Sequence, residues 1–258
     1  GYAVVGNATY YPGGADDIYL VKLDSNGAQQ WSRSIGGTWI DAGYSIIQTN
    51  DKGYAIAGYS EQVAVTNPDG YLVKLDSTGA LQWSVTIGTP DIEYTYSVTQ
   101  AKDSGYAVVG YSTVVGVGPF QGFVVKLDQT GVFQWSKRIA PSGDDLPYSI
   151  MGTFDGGYVI GGNEAGNGNH NVFKLDSTGA GCCTSPMPLQ VNPAATTSKL
   201  IISTDTSAGI TGSAGVVDTG GIIVYVCSTG CAKPIANAGQ DITICMGDSA
   251  NINANWAG

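Results

Sequence analysis

LDSTGALQW, residues 75–83, has two close relatives in the chain: LDSNGAQQW at 23–31 and LDQTGVFQW at 127–135. The phrases recur at a 52-residue interval, and others keep step with them. GYAVVG at Gly1 returns as GYAIAG at Gly53, GYAVVG at Gly105 and GYVIGG at Gly157. Also in step are Asp24, Asp76 and Asp128; Trp31, Trp83 and Trp135; and Tyr44, Tyr96 and Tyr148. A period of this length marks repeated supersecondary units. The fourth unit departs from it: FKLDSTGAG places Asp176 short of a full interval after Asp128, and no tryptophan follows in register.

Each unit holds four strand-like runs separated by turn residues. In the second these are GYAIAGYS, GYLVKLD, ALQWSVTIG and TYSVTQA. Alternation puts Tyr71, Val73 and Leu75 on one face and Lys74 and Asp76 on the other, and Tyr19, Val21 and Leu23 and then Phe123, Val125 and Leu127 repeat it. No segment sustains an apolar helical period with caps, so helix is expected to be scarce. Four short antiparallel strands per unit predict an all-β fold, a β-propeller whose four-stranded blades are each one repeat long, followed by a disulfide-containing β tail. A β-helix is the structural competitor, but its coils are usually shorter and lack this hairpin pattern. Because Gly1 opens a phrase that recurs, residues 1–181 read as the C-terminal blades of a larger ring, with earlier sequence expected before Gly1.

In DSTGALQW, Asp76 can accept hydrogen bonds from the turn amides, and Gly79 suits a positive φ. Trp83 adds a large flat apolar surface. The structural set is therefore Asp24, Gly27 and Trp31; Asp76, Gly79 and Trp83; Asp128, Gly131 and Trp135; and Asp176 with Gly179. Each tryptophan is expected to dock on its own or the adjacent blade.

These phrases resemble the tryptophan-docking repeats of pyrroloquinoline-quinone-type propellers, best at Asp76, Thr78, Gly79 and Trp83. Asn26 stands where the pattern has threonine. They also resemble Asp-box hairpins of sialidase propellers. In both families the motifs are structural, so the resemblance implies no catalytic residue. A closer likeness is to repeats of large secreted bacterial surface proteins, in which GGYVIGG, YLVKLDSTG and QWS recur before immunoglobulin-like modules. It implies a cell-surface or secreted location and, through the family alone, export by a type IX-like route.

With 21 acidic and 11 basic residues the chain carries a net charge of −10, which disfavours nucleic acid and anionic membranes as partners. No run approaches the length of a membrane helix. Beyond Gly181 the register stops. Residues 182–233 form a Ser/Thr/Gly-rich β segment, with SKLIIST and GGIIVYVCST as strands that either close the last blade or link onward. Residues 234–258 resemble the opening of a PKD-like or immunoglobulin-like module, through Ala236, Asn237, Ala238, Gly239, Asp241, Cys245 and Gly247. All five cysteines lie in the tail: Cys182, Cys183, Cys227, Cys231 and Cys245. Clustering of this kind favours disulfides, with Cys182/Cys183 to Cys227/Cys231 the leading pairing and Cys245 left over. A zinc site is the alternative, but the spacing fits poorly and no histidine is near.

Chemistry-bearing motifs are few. His170 is the single histidine and falls in a polar, glycine-rich stretch without a nucleophile motif around it. Asp16, Asp17, Asp91, Glu93, Asp144 and Asp145 are read as loop acids, and a converging pair would suit glycoside hydrolysis. No cofactor fingerprint is present and no cofactor is expected. The loops at 7–17, 60–70, 112–122 and 163–170 vary most and form a candidate recognition surface, with Tyr10, Tyr11, Pro119 and Phe120 as contacts. The functional expectation is a non-enzymatic extracellular adhesion, binding or structural module with a protein or glycan partner at a cell surface or matrix. Its alternatives are a carbohydrate-active hydrolase or lyase and a subunit of an extracellular polymer.

Overall fold

The computed structural model describes residues 1–9, 15–61, 67–113, 120–139, 145–165, 169–181 and 183–201. Their regular structure is entirely β, arranged as four antiparallel sheets. The first sheet holds β1 (Tyr2–Thr9), β2 (Asp16–Leu23) and β3 (Gln29–Gly36), and the second β4 (Asp41–Gln48), β5 (Tyr54–Ser60), β6 (Asp69–Leu75) and β7 (Leu81–Gly88). The third holds β8 (Ile92–Gln100), β9 (Tyr106–Thr113), β10 (Gln121–Leu127) and β11 (Phe133–Ile139). The fourth holds β12 (Asp145–Gly152), β13 (Tyr158–Glu164) and β14 (His170–Leu175). Strands alternate up and down, as the short connections dictate.

The sheets are offset by one strand from the sequence repeat. TYSVTQA forms β8, which pairs with β9 of the next unit and not with β7. The reason is local. Between β8 and β9 the chain turns tightly, with Ser104 at φ 65°, Ser104 N–H donating to Ala101 O and Gly105 N–H to the Asp103 carboxylate. Lys52 at φ 69° makes the same turn between β4 and β5. The link from β7 to β8 instead carries the chain to the next sheet.

Consecutive sheets stack face to face, giving three apolar layers. Ile18, Leu20 and Ile35 meet Tyr54, Ile56, Tyr71, Val73 and Leu75 between the first and second sheets. Leu72, Val85 and Ile87 meet Val98, Tyr106, Phe123, Val125 and Leu127 between the second and third. Val109, Val124 and Ile139 meet Ile150, Tyr158, Ile160, Phe173 and Leu175 between the third and fourth. Burying each such aliphatic side chain contributes roughly 1.5–3 kcal/mol. A middle sheet is thus covered on both faces, and Lys74, expected on a polar face, is buried. Its ammonium donates to Asp51 (2.8 Å), Gln82 (2.9 Å) and Leu75 O (2.8 Å), and Lys126 repeats this with Asp103, Gln134 and Leu127 O.

The segment after Gly181 runs back across the stack. β15 (Thr184–Pro186) pairs with β11, β16 (Gln190–Pro193) with β7, and β17 (Thr197–Ile201) with β3. SKLIIST thus begins on the first sheet, not the last. The partners of Ile139, Ile87 and Ile35 are Thr184, Val191 and Ser198. Each short step of this strap, from Thr184 to Val191 and on to Ser198, therefore crosses one sheet, as one full repeat builds one. Pro186 and Pro193 occupy equivalent places, tolerated because an added edge strand donates on one side only. Met187 and Leu189 are buried against the layer between the second and third sheets.

Candidate functional site

The acid, turn and tryptophan motif forms joints between sheets. Asp76 Oδ1 accepts from Thr78 N (2.8 Å), Thr78 Oγ1 (2.8 Å) and Ala80 N (3.0 Å). Asp128 and Asp176 repeat the three bonds, and Asp24 makes the two backbone ones. Gly27, Gly79, Gly131 and Gly179 lie at φ 75–85°, where a side chain is strained. Trp31 lies on the Gly79 turn, Trp83 on Gly131 and Trp135 on Gly179, each on the adjacent sheet. The same indoles meet Tyr54, Tyr106 and Tyr158 edge-on at 5.9, 5.5 and 6.1 Å.

The acids fall in strands and junctions more than in open loops. Asp16 and Asp17 open β2, Glu93 lies in β8 and Asp145 opens β12. Glu93 is fully buried and accepts from Thr89 N, Thr89 Oγ1 and Ser112 Oγ. Asp145 is buried and accepts from Asn171 Nδ2 (2.5 Å). Asp91 donates its backbone N–H to Thr89 Oγ1. Asp17 bonds Ser34 Oγ at 2.6 Å and, with Asp41, crowds the space a Gly36 Cβ would need; Asp69 and Glu93 do the same at Gly88. Burial pushes Asp41 up to about 6, against hydrogen bonds from Ser60 and Gly37 and with a push from the Asp17 charge. Burial and the Glu93 charge take Asp69 to about 6. Asp41 and Glu93 each accept from a backbone N–H four places earlier, Gly37 and Thr89, and Asp17 and Asp145 accept from the side chains of Ser34 and Asn171.

His170, read as a loop residue, begins β14 opposite Asn163 and is exposed. Tyr10, Tyr11, Pro119, Asp144, Cys182, Cys227, Cys231 and Cys245 lie outside the described residues, as do the PKD-like stretch and GGIIVYVCST. Cys183 packs half-buried against the layer between the third and fourth sheets. Among the described residues no group of three or more His, Cys, Asp or Glu converges to hold a metal ion. A cleft of about 440 Å³ between the second and third sheets has the Lys74–Asp51 pair in its wall, where acid and base are committed to each other.

A different site stands at the first strand of the second, third and fourth sheets. In β4, Gly43 faces Gly58 and Ser45 faces Ala57, leaving Tyr44 as a bulge. β8 bulges at Tyr96 and β12 at Tyr148. A bulge re-aims its side chain. The glycine closing each GYxxxG phrase, Gly58, Gly110 or Gly162, is required opposite it, because a Cβ would collide with the carbonyl of Ala42, Tyr94 or Leu146. The bulged tyrosines meet across sheets: Tyr44 stacks on Tyr96 (5.1 Å, 5° between planes) and Tyr96 meets Tyr148 edge-on (5.2 Å). Tyr59, Tyr94 and Tyr111 extend the cluster, and Phe120 meets Tyr111 at 5.2 Å. Tyr44, Tyr148 and Phe120 are exposed, the others half-buried.

Desolvation pushes the Tyr44 hydroxyl up to about 12 and Tyr96 further, where the hydrogen bond to Tyr111 (3.3 Å) adds to it. Burial also raises Tyr59, helped by the charges of Glu61, Asp16 and Asp41. The cluster is therefore neutral, with an acidic flank beside Tyr59. The three bulged tyrosines share the repeat interval, but a shared interval does not specify that their rings meet. The signal available in sequence was the terminal glycine of each GYxxxG phrase, without an evident turn to explain it.

The fold and this surface together define the class: an all-β repeat protein in which three successive sheets, the second to the fourth, each contribute a bulged tyrosine to one aromatic surface. No family model matches the chain, and no curated protein matches it.

Proposed function

We propose that the sheets are blades of a β-propeller and that the chain serves as a non-enzymatic extracellular binding module of a large secreted surface protein. The carrying observation is the contact of Tyr44, Tyr96 and Tyr148, one bulged residue from each of three sheets. Tyrosine gives rigid amphipathic contact area at small entropic cost. Because Tyr44 and Tyr96 spend one ring face on each other, the surface offers edges and hydroxyls more than open faces. That favours a protein partner over a glycan laid flat on a ring. The acidic flank, in a chain of net charge −10, matches a partner with a basic rim.

The test is capture of cell-surface and matrix proteins on the immobilised chain, with Tyr44→Ala and Tyr148→Ala as the comparison. Loss of a specific protein partner in both variants, at unchanged circular dichroism, supports the reading. Binding that survives both, or tyrosine-dependent binding to glycans in place of protein, overturns it. Against the hydrolase alternative, two of its candidate acids are buried and engaged within sheets, Glu93 by Thr89 and Ser112 and Asp145 by Asn171.

A further inference from the structure

The first sheet leaves open the face that the second, third and fourth bury. Tyr54, Tyr106 and Tyr158 are 3%, 2% and 1% exposed beneath the tryptophan of the preceding sheet, whereas Tyr2, at the same repeat position, is 61% exposed. Ile56, Val108 and Ile160 are fully buried, and their equivalent Val4 is 46% exposed. The β2 residues Tyr19, Val21 and Leu23 are half-buried where Tyr71, Val73 and Leu75 are completely covered. The turn beside this face is already formed. Gly27 has φ 85°, and Asp24 Oδ1 accepts from Asn26 N (2.8 Å) and Ala28 N (2.9 Å).

Two further vacancies match. Gly79, Gly131 and Gly179 each have indole carbons within 3.0 Å of where a Cβ would stand, but Gly27 has nothing within 4 Å. Lys22 Nζ donates to Leu23 O (2.7 Å) and Gln30 Oε1 (3.1 Å), repeating two of the three bonds of Lys74. Ion pairs join Lys74, Lys126 and Lys174 to Asp51, Asp103 and Asp155, each acid two places ahead of its GY phrase. Among the described residues no such pair is formed by Lys22.

We infer that this face is a docking surface for one further repeat of the same kind and length. Its tryptophan would lie between Tyr2 and Gly27, its last strand would pair along the open edge of β1, and its turn aspartate would reach Lys22. The occupant is specified by three internal precedents in the same chain, each an indole, a strand and a carboxylate arriving together. A small apolar ligand or a plain hydrophobic surface would satisfy the first vacancy and neither of the others.

The test joins a copy of residues 53–104 in front of Gly1 of the full chain and measures tyrosine nitration by peptide mass spectrometry. In the chain as it stands Tyr2, 61% exposed, should react readily, while the buried Tyr54, Tyr106 and Tyr158 should be protected. The added repeat should slow nitration of Tyr2 by roughly tenfold or more, as burial does to local opening. Changing the copied tryptophan to alanine should restore it. The inference fails if Tyr2 stays reactive in the extended chain while the other three remain protected, whether or not the added repeat is ordered. It fails equally if Tyr2 in the unextended chain becomes protected as concentration rises, since the occupant is then a second copy.

Discussion

Trp83 in the second sheet rests on Gly131 in the third, its Cε3 2.9 Å from where a Cβ of residue 131 would be placed. The glycine therefore meets two demands together, a left-handed backbone at φ 85° and room for an indole on the neighbouring sheet. Trp31 on Gly79 and Trp135 on Gly179 repeat the contact. The same residues close a hairpin and join two sheets.

Gly131→Ala should therefore cost about 2–4 kcal/mol, the sum of backbone strain and displacement of the indole. Gly6 in β1 has an ordinary φ and open space, and Gly6→Ala should change stability by less than about 1 kcal/mol. Urea unfolding midpoints of the two variants measure the difference. Equal effects would mean that the tryptophan joint is not what the glycine serves.

Thr95 ties the second and third sheets through a buried hydroxyl. It accepts from Gly58 N (3.0 Å) and lies within hydrogen-bond distance of Gly58 O (2.5 Å) and Tyr71 O (3.1 Å). Thr95→Val keeps the shape but strands the Gly58 N–H, at a cost of about 1–3 kcal/mol. Thermal unfolding compared with Thr95→Ser, which keeps the hydroxyl, checks whether the bond and not the methyl is responsible.

Stability should fall as pH rises from about 4 to about 6. Asp41 and Asp69 have folded pKa values near 6, above the ordinary 3.8, so the folded state holds their protons more tightly. Their favourable contribution is complete below the unfolded value and is lost as pH climbs through the folded one. Asp51 runs the other way: burial opposes ionisation, but Lys74, Thr49 and Gly53 outweigh it and bring the carboxyl to about 2. Its contribution is present above 3.8 and disappears as pH drops toward about 2. Melting temperature should peak between these windows, and Asp41→Asn should flatten the upper slope. A melting temperature that rises steadily from about pH 4 to about pH 7 would contradict both assignments.

The strap should stabilise all three sheets it crosses. Leu189 is buried between β15 and β16, and Leu189→Ala should cost about 2–4 kcal/mol. Amide exchange should quicken along β7 and β11, which the strap covers, and change little in β12–β13. Uniform quickening across all sheets would mean that the strap acts on the whole stack and not on the edges it covers.

Much of this architecture is legible residue by residue. GYAIAGYS, GYLVKLD and ALQWSVTIG correspond to β5, β6 and β7, because apolar alternation bounded by turn residues is a local property. The Asp76 turn is equally local: its acceptor reaches amides two and four places on. The short step from Pro186 to Pro193 is also visible in the sequence. Its meaning appears only when those prolines are set beside Lys137 and Val85, which stand one repeat apart.

The strand runs, the turn chemistry and the scarcity of helix are legible in the sequence because each depends on residues a few places apart, and the repeat interval because those same short phrases recur. Tertiary structure decided which sheet β8 joins, where the strap lies, that Lys74 is buried and that Tyr44, Tyr96 and Tyr148 meet. Backbone hydrogen bonds carry no record of partner identity, so a strand's neighbours follow from which faces can be buried together. The tyrosine surface is the clearest case. Each bulge is set by a glycine on the adjacent strand, and each ring contact by a tyrosine one full repeat away.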